Sequence, residues 1–363
     1  MRIKVLHIII KSSYDGAAVY PIRLCTHMKE YDHEIVACFK GNAYEEILNL
    51  GIKCENLLNF KNIGYKYLLL KYWNFFRYIK KRSFNIIHYH QGGVGILLLA
   101  SLFKKNAKVI HHLHSGNMIG DNKKYIISPF HKFILSILRR NTFQVAVAKH
   151  VAEKYFVQIG NSDKLIIIEN TVPFNFNLKP DLKFGIGYLG RITSTKGFYL
   201  FNALAENKTS QKGELKFFLM GDIDPNISIN ISAEKVFEFI PPSFLISNIL
   251  SKIDLLVLPS NAPEGLPLAL LEAVSFDVGI IAPSTEAFKE ALGTYPLLTG
   301  ENSTEEIINK INHYYSEKFD RKELSLMHKE IYSKYNFDQM LKKLDNFYKT
   351  VLADTTSKMM TKS

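Results

Sequence analysis

A succession of short apolar runs constrains this chain more than any other feature. In order they read "RIKVLHIII", "HEIVACF", "NIIHYH", "AKVIHHLH", "TFQVAVA" and "KLIIIEN", then "LKFGIGYLG", "ELKFFLMGD", "KVFEFI", "KIDLLVLPS" and "VGIIAP". Most are nearly continuous in Val, Ile and Leu, as strands covered on both faces are. Helical stretches separate them, and strand–helix–strand order at this spacing closes as right-handed crossovers in a parallel sheet. The rhythm breaks at residues 171–182, "TVPFNFNLKPDL", where Pro and Asn mark a linker. The expectation is therefore α/β: two Rossmann-like, doubly wound domains, residues 1–178 and 179–336, facing a central cleft. Residues 337–363 supply a last helix, "NFDQMLKKLDNFYKTVL", expected to pack back on the first domain, and a tail without fixed structure. A length of 363 residues suits two such domains.

Composition narrows the class. Cys25, Cys38 and Cys54 are odd in number and show no C-x-x-C spacing, which suits a reducing cytoplasm and argues against a disulfide or zinc framework. "MRIKVLHIIIKSSYDG" is read as a buried first strand rather than a signal peptide, because Lys11 and Asp15 follow a short apolar part. No run approaches the ~18 apolar residues of a membrane span. The charge is lopsided: residues 1–179 carry +15 and residues 180–363 carry −3, and no acidic residue lies between Glu55 and Asp121. Such a basic half implies an anionic partner. The absence of G-x-G-x-x-G after the first strand argues against a nicotinamide enzyme, and no P-loop or nucleic-acid module appears.

Two stretches carry chemistry. "NAPEGLPLALLEA", residues 261–273, follows the apolar run "IDLLVLPS" and so begins as a loop at a strand's carboxyl end. Pro267 suits a helix start, which places Glu264 at the helix N-terminus and Glu272 about one and a half turns inside. The N–H groups near Gly265 and Leu266, with the positive end of the helix dipole, make an anion site, and carboxylates beside it suit hydroxyls. The pair also fits a cap and an exposed helix charge. In "GYLGRITSTKGFYLFNALAE", residues 187–206, a strand ends at Gly190; Arg191 and Lys196 then stand at a strand end and beside a helix start. Two fixed cations there can neutralise a diphosphate, as a metal does elsewhere; they equally fit solvated surface cations. Asp222-x-Asp224 in "MGDIDPN" mimics a metal-binding pair, but Pro225 reads as a turn, and no metal site is expected.

In combination, "GRITSTKG", "LPSNAPEGLPLALLEA" and the Asn of "IIIENTV" resemble the retaining GT-B glycosyltransferases of family 4, the group 1 glycosyltransferases. "NIIHYHQGG" followed by "AKVIHHLHSG" is similar to that family's paired histidine-bearing strands. The resemblance implies that Arg191 and Lys196 bind the donor diphosphate and stabilise the leaving group. It implies that Glu264 and His114 act at the transferred sugar, and that Glu272 holds the ribose hydroxyls. Gly16, Ala17, Asn170, Gly190, Gly265 and Leu266 would complete the donor site. Two positions depart from the pattern: the first loop, "YDGAAVY", has Gly16 where paired glycines are usual, and Asn170 is followed by Thr171 rather than Gly. His88, His90, His111 and His112 are read as packing or supporting residues.

The implied activity is retaining transfer of a sugar from a nucleotide donor, a UDP-sugar being favoured, to a lipid-linked or glycan acceptor in bacterial surface polysaccharide assembly (capsule, O-antigen or lipopolysaccharide). No cofactor and no nucleic acid are expected. The alternatives are a non-hydrolysing nucleotide-sugar epimerase of the same architecture and a non-catalytic scaffold. Residues 65–81, "YKYLLLKYWNFFRYIKK", predict an amphipathic helix with Tyr65, Leu68, Leu69, Tyr72, Phe75, Phe76 and Ile79 toward the core. Its other face would carry Lys66, Lys71, Arg77, Lys80 and Lys81 with Tyr67, Leu70, Trp73 and Tyr78. Basic plus aromatic residues on an exposed face suit an anionic membrane, and residues 123–140 have similar character. The expected location is cytoplasmic, peripheral on the inner face of the membrane.

Overall fold

The computed structural model of the chain describes residues 2–58, 65–91, 93–103, 106–115, 129–177, 183–206, 215–224, 227 and 237–354. It divides into two compact units, Met1–Glu169 with Asp338–Ser363, and Asn170–Phe337. The first unit runs β1 (Lys4–Lys11), α1 (Gly16–His27), β2 (Asp32–Phe39), α2 (Tyr44–Asn49), β3 (Lys53–Leu58), α3 (Tyr65–Lys81), β4 (Ile86–Tyr89), α4 (Val94–Phe103), β5 (Lys108–Leu113), α5 (Pro129–Asn141), β6 (Phe143–Ala146), α6 (Lys149–Ile159) and β7 (Leu165–Ile167). The second runs β8 (Gly185–Leu189), α7 (Phe198–Glu206), β9 (Lys216–Met220), β10 (Phe237–Ile240), α8 (Ser247–Leu250), β11 (Leu255–Val257), α9 (Leu268–Ser275), β12 (Gly279–Pro283), α10 (Glu286–Leu292), β13 (Leu298–Thr299), α11 (Thr304–Tyr314) and α12 (Arg321–Lys334).

Among the described residues every strand pair is parallel. The first sheet has the order β3-β2-β1-β4-β5-β6-β7 and the second β10-β9-β8-β11-β12-β13. In both, the chain winds outward one way and then reverses. The reversal leaves a crevice beyond the carboxyl ends of β1 and β4 in the first sheet and of β8 and β11 in the second. The apolar runs behave as covered strands must: Val5, Leu6, Ile8 and Ile9 of β1 are wholly buried although they point to opposite faces. A final helix, α13 (Phe337–Ala353), belongs to the first unit from Asp338 onward. It buries Met340, Leu344, Phe347, Tyr348 and Val351, an apolar stripe at helical spacing. The Tyr31 hydroxyl donates to Asp345 at 2.6 Å, which fixes the helix against β2's approach.

Two strands and one helix face differ from the sequence reading. β3 alternates polar and apolar residues at the edge of the sheet, with Lys53 and Glu55 exposed and Cys54 and Leu58 buried, so it lacks the continuous run that marks the others. β13 is two residues long. Helix α3 has the expected bounds but is rotated. Leu69, expected in the core, is 78% exposed, while Lys71 and Tyr78, expected on the outer face, are buried. The reason is local. The Lys71 ammonium lies 4.9 Å from the Tyr72 ring centroid and 5.9 Å from that of Phe39, and the Tyr78 hydroxyl donates to Glu34. The side chains of residues 65–68, residues 123–128 and the tail from residue 355 lie outside the described residues.

Candidate active site

In the second unit the site begins where β8 ends. Gly190 has φ of +144° and Gly197 has φ of +72°, values that side chains rarely tolerate. At Gly197 a Cβ would also sit 1.8 Å from the carbonyl oxygen of Pro259. Glycine there lets the loop after β8 lie directly against the loop after β11. The contact is fastened by the Thr195 carbonyl, which accepts from the backbone N–H groups of Asn261 and Ala262 at 3.0 and 3.1 Å. Two segments some 65 residues apart in sequence thus become one surface at the switch point.

On that surface the Lys196 ammonium meets the Glu264 carboxylate at 2.5 Å, with both side chains largely withdrawn from solvent. Arg191 is exposed one strand-end away. Tyr188, the penultimate residue of β8, supports both cations: its hydroxyl donates to the Arg191 carbonyl at 2.7 Å and lies 3.4 Å from that of Lys196. Burial, and then the Glu264 charge, push the Tyr188 phenol above its ordinary value while Arg191 opposes them, so the phenol stays a donor. The sequence reading missed Tyr188. The available signal was one hydroxyl-bearing side chain in an otherwise apolar strand.

Beyond Glu264 the chain turns into α9. Gly265 and Leu266 are buried. The Asn170 amide donates to the Leu266 carbonyl at 2.8 Å, which pins the turn, and its own side-chain oxygen is buried without a hydrogen-bond partner. Pro267 is the N-cap of α9, extended at φ −65° and ψ 125°, with no side-chain cap. The first N–H groups of α9 therefore point outward with the dipole's positive end behind them. Glu272 lies further along α9 and is only 5% exposed. The structure brings Arg191, Lys196, Glu264, Asn170 and Leu266 to one sheet end, with Glu272 on the helix that starts there. Asp222 and Asp224 follow β9 and bridge to the loop after β8: the Asp222 carbonyl accepts from the Ile192 N–H at 2.8 Å, and the Asp224 N–H donates to the Ile192 carbonyl at 3.1 Å. The Asp224 carbonyl accepts from the Ile227 N–H at 2.9 Å.

The other expected residues are in the first unit. Gly16 and Ala17 open α1, whose N-terminus is already capped by Asp15, the carboxylate accepting from the Ala18 N–H at 3.2 Å. His114 follows β5, and its Nε2 lies 3.0 Å from Nδ1 of His90. It is one end of an array that extends beyond the paired histidine-bearing strands of the sequence reading, to His7 and His33. Side chains two apart on a strand share a face, so His88 on β4 and His90 just past its end line up beside His112 on β5 and His114 just past its end, with His7 on β1 and His33 on β2. His7 Nδ1 meets His90 Nε2 at 3.0 Å, His7 Nε2 meets His33 Nδ1 at 2.9 Å, and His33 Nε2 donates to the Met28 carbonyl at 3.0 Å. His111 faces the other side, edge-on to Tyr89.

Two family models match the chain. "Glycosyltransferase Family 4" matches residues 14–176 and "Glycosyl transferases group 1" matches residues 183–317. No curated protein matches the sequence. Among solved structures, the pneumococcal O-GlcNAc transferase GtfA in complex with UDP and GlcNAc aligns with a TM-score of 0.76 at 12% identity, over 97% of this chain and 100% of that one. HepE of Anabaena in complex with UDP and glucose aligns at 0.73 and 16% identity, over 95% and 99%. A glycosyltransferase from Rickettsia africae ESF-5 aligns at 0.70 and 19% identity, over 98% and 100%. At these identities the structures establish the shared fold, GT-B, and the family models establish the kinship.

Proposed function

Because the chain belongs to the group 1 glycosyltransferases of family 4 and GT-B fold, we propose that its second unit binds a nucleotide sugar, UDP-linked, across the start of α9. The observation that carries this reading is the Lys196–Glu264 pair, set at the sheet's switch point beside an uncapped helix N-terminus. Lys196 is a cation whose present partner is a carboxylate. An entering diphosphate offers it a stronger anion, with the α9 N–H groups and Arg191 as further donors. Glu264, released from Lys196, is then an acceptor for sugar hydroxyls, and Glu272 is the acceptor for a ribose diol. As the sugar–phosphate bond breaks, negative charge grows on the β-phosphate, and the two fixed cations stabilise it without a divalent ion. HepE has been crystallised with UDP-glucose, in keeping with such a donor.

The transfer proceeds with retention to a lipid-linked or glycan acceptor of bacterial surface polysaccharide, and the enzyme works in the cytoplasm against the inner face of the membrane. Among the described residues no helix is long and apolar enough to cross a membrane. The surface of the first unit supports peripheral docking. Leu69 and Trp73 of α3 and Leu102 and Phe103 of α4 are exposed, joined through Phe76, which lies 6.0 Å from Trp73 and 4.8 Å from Phe103 between ring centroids. Exposed Arg77, Lys80 and Lys81 accompany them. Nucleotides and nucleotide sugars screened by thermal shift test the donor: a UDP-sugar should raise the midpoint of the wild type, and less so that of Glu272→Gln. No shift with any nucleotide sugar would overturn the donor site. The anomeric configuration of the product, read by NMR, tests retention.

A further inference from the structure

We propose that His90, His112 and His114 form a binding site for a divalent first-row transition ion, zinc foremost. One ring nitrogen of each lies within 4.8 Å of the others. A zinc ion at ~2.0–2.1 Å from each imidazole nitrogen holds its ligand atoms roughly 3.3 Å apart in a tetrahedron. His90 Nδ1 and His114 Nε2 are 3.0 Å apart. Three imidazoles and no carboxylate suit Zn²⁺, Cu²⁺, Co²⁺ or Ni²⁺ and not Mg²⁺ or Ca²⁺.

Two further observations point to an ion. His112 is 1% exposed, and its Nε2 is buried with no hydrogen-bond partner. Such an orphan costs ~1–3 kcal/mol unless something occupies it, and a lone pair bound to a metal is no longer an orphan. The outer partners also have the polarity that ligands need. The Met28 carbonyl can only accept, so His33 Nε2 carries its hydrogen, and neutral His33 Nδ1 accepts from His7 Nε2. His7 Nδ1 then accepts from His90 Nε2, which leaves the His90 Nδ1 lone pair facing His114. On the other branch, His88 Nδ1 lies 2.7 Å from the Tyr348 hydroxyl and His88 Nε2 lies 3.0 Å from His112 Nδ1. With Tyr348 as acceptor, His112 Nδ1 donates to His88 and the His112 Nε2 lone pair is presented. Each deeply buried ligand thus passes its own hydrogen outward along a chain of neutral groups, as metal-bound histidines do. His114 is the least buried of the three, and three protein ligands leave a fourth position for water or an anionic ligand. All of these residues belong to the first unit; His114 is also the residue that the family resemblance assigns to the transferred sugar, so a bound ion and that role would compete for its Nε2.

The test uses the full chain stripped with EDTA and titrated with Co²⁺, then with Zn²⁺ in competition. The expected result is one ion per chain at sub-micromolar affinity, with the intense visible absorption of four-coordinate Co²⁺. His112→Phe should abolish the band. Tyr348→Phe, which removes the outer acceptor and keeps the ring, should weaken binding ~10-fold or more without unfolding the chain. His27→Ala, an exposed histidine elsewhere on α1, should leave the band intact. A wild type that gives no band, or a band that survives His112→Phe, overturns the site. A band abolished by Cys25→Ala instead would also overturn it, by placing the ion among His7, Cys25 and His33.

Discussion

At the switch point of the second sheet, Lys196 and Glu264 are paired and partly reached by solvent; at that of the first, His7, His88, His90 and His112 are out of water altogether. The second sheet repeats the order of the first six strands of the first sheet, so the topology supplies the same crevice twice. The chemistry differs because burial penalises charge far more than polarity. A lysine and a glutamate persist at a strand end when each has the other and the rim stays wet. Imidazoles enter the interior because they can be neutral and can pass hydrogen bonds from ring to ring in a chain. The second unit therefore keeps a paired lysine and glutamate at its switch point, and the first keeps neutral imidazoles there.

Acid should separate the units most sharply, and it is the largest effect expected. Burial, and then neighbouring imidazoles, hold His7, His88, His90 and His112 well below the ordinary value; His33 is lowered to about 4 and His114 to about 3. Above pH ~6.5 these rings are neutral folded or unfolded, and the stabilisation is complete. Below it, the unfolded chain takes up protons that the fold refuses, so stability falls continuously from pH ~6.5 toward pH 4. In metal-free protein, urea midpoints followed through the first unit's tyrosines and Trp73 should drop steeply over that window, with more than two protons linked to unfolding. A midpoint flat to pH 5 would mean that the rings protonate in place.

The charged site should fail in the opposite way, losing turnover and keeping stability. Lys196→Ala and Arg191→Ala should each lower turnover at least ~10²-fold, since one preorganised charge on a leaving oxyanion is worth about 3 kcal/mol. Added Mg²⁺ or Mn²⁺ should not be needed; activity lost in EDTA and restored by either ion would remove the two cations from their role. The carboxylates should divide. Glu272→Gln should weaken UDP binding ~10-fold, because hydrogen bonds to a charged acceptor contribute about 1.5–3 kcal/mol. Glu264→Gln should leave UDP affinity near the wild type and slow sugar transfer. Calorimetry with UDP decides, and equal losses in both variants would contradict the division.

How much of this was legible depends on whether the cause is local. Covered parallel strands announce themselves as apolar runs, and a glycine, a cation and a helix start at the end of a run place Arg191 and Lys196. Tyr188 was hidden because its partners are backbone carbonyls, which no side-chain pattern displays. The histidine array was hidden because His7, His33 and His90 meet only through sheet order, at separations of 26 and 83 residues. The rotation of α3 was hidden for a related reason: Lys71 is drawn inward by Phe39 at the end of β2, and helical periodicity ranks lysine as outward.

That rotation sharpens the smallest effect, the docking of the basic half on an anionic bilayer. With Lys71 buried, the exposed cations of α3 with described side chains are Arg77, Lys80 and Lys81. Each is worth ~1 kcal/mol beside an anionic surface, so the electrostatic part is a few kcal/mol and falls with salt. Trp73, 57% exposed, and the neighbouring Leu69 add an apolar part that salt does not screen. Co-sedimentation with anionic vesicles should therefore weaken as ionic strength rises without vanishing. Reversing the three cations to Glu should remove the salt-dependent part and leave UDP binding untouched, because the proposed nucleotide site is in the other unit. Trp73→Ala should remove the salt-resistant part alone. If the charge-reversed chain pellets as the wild type does, α3 is a covering helix and the excess positive charge of residues 1–179 serves another partner.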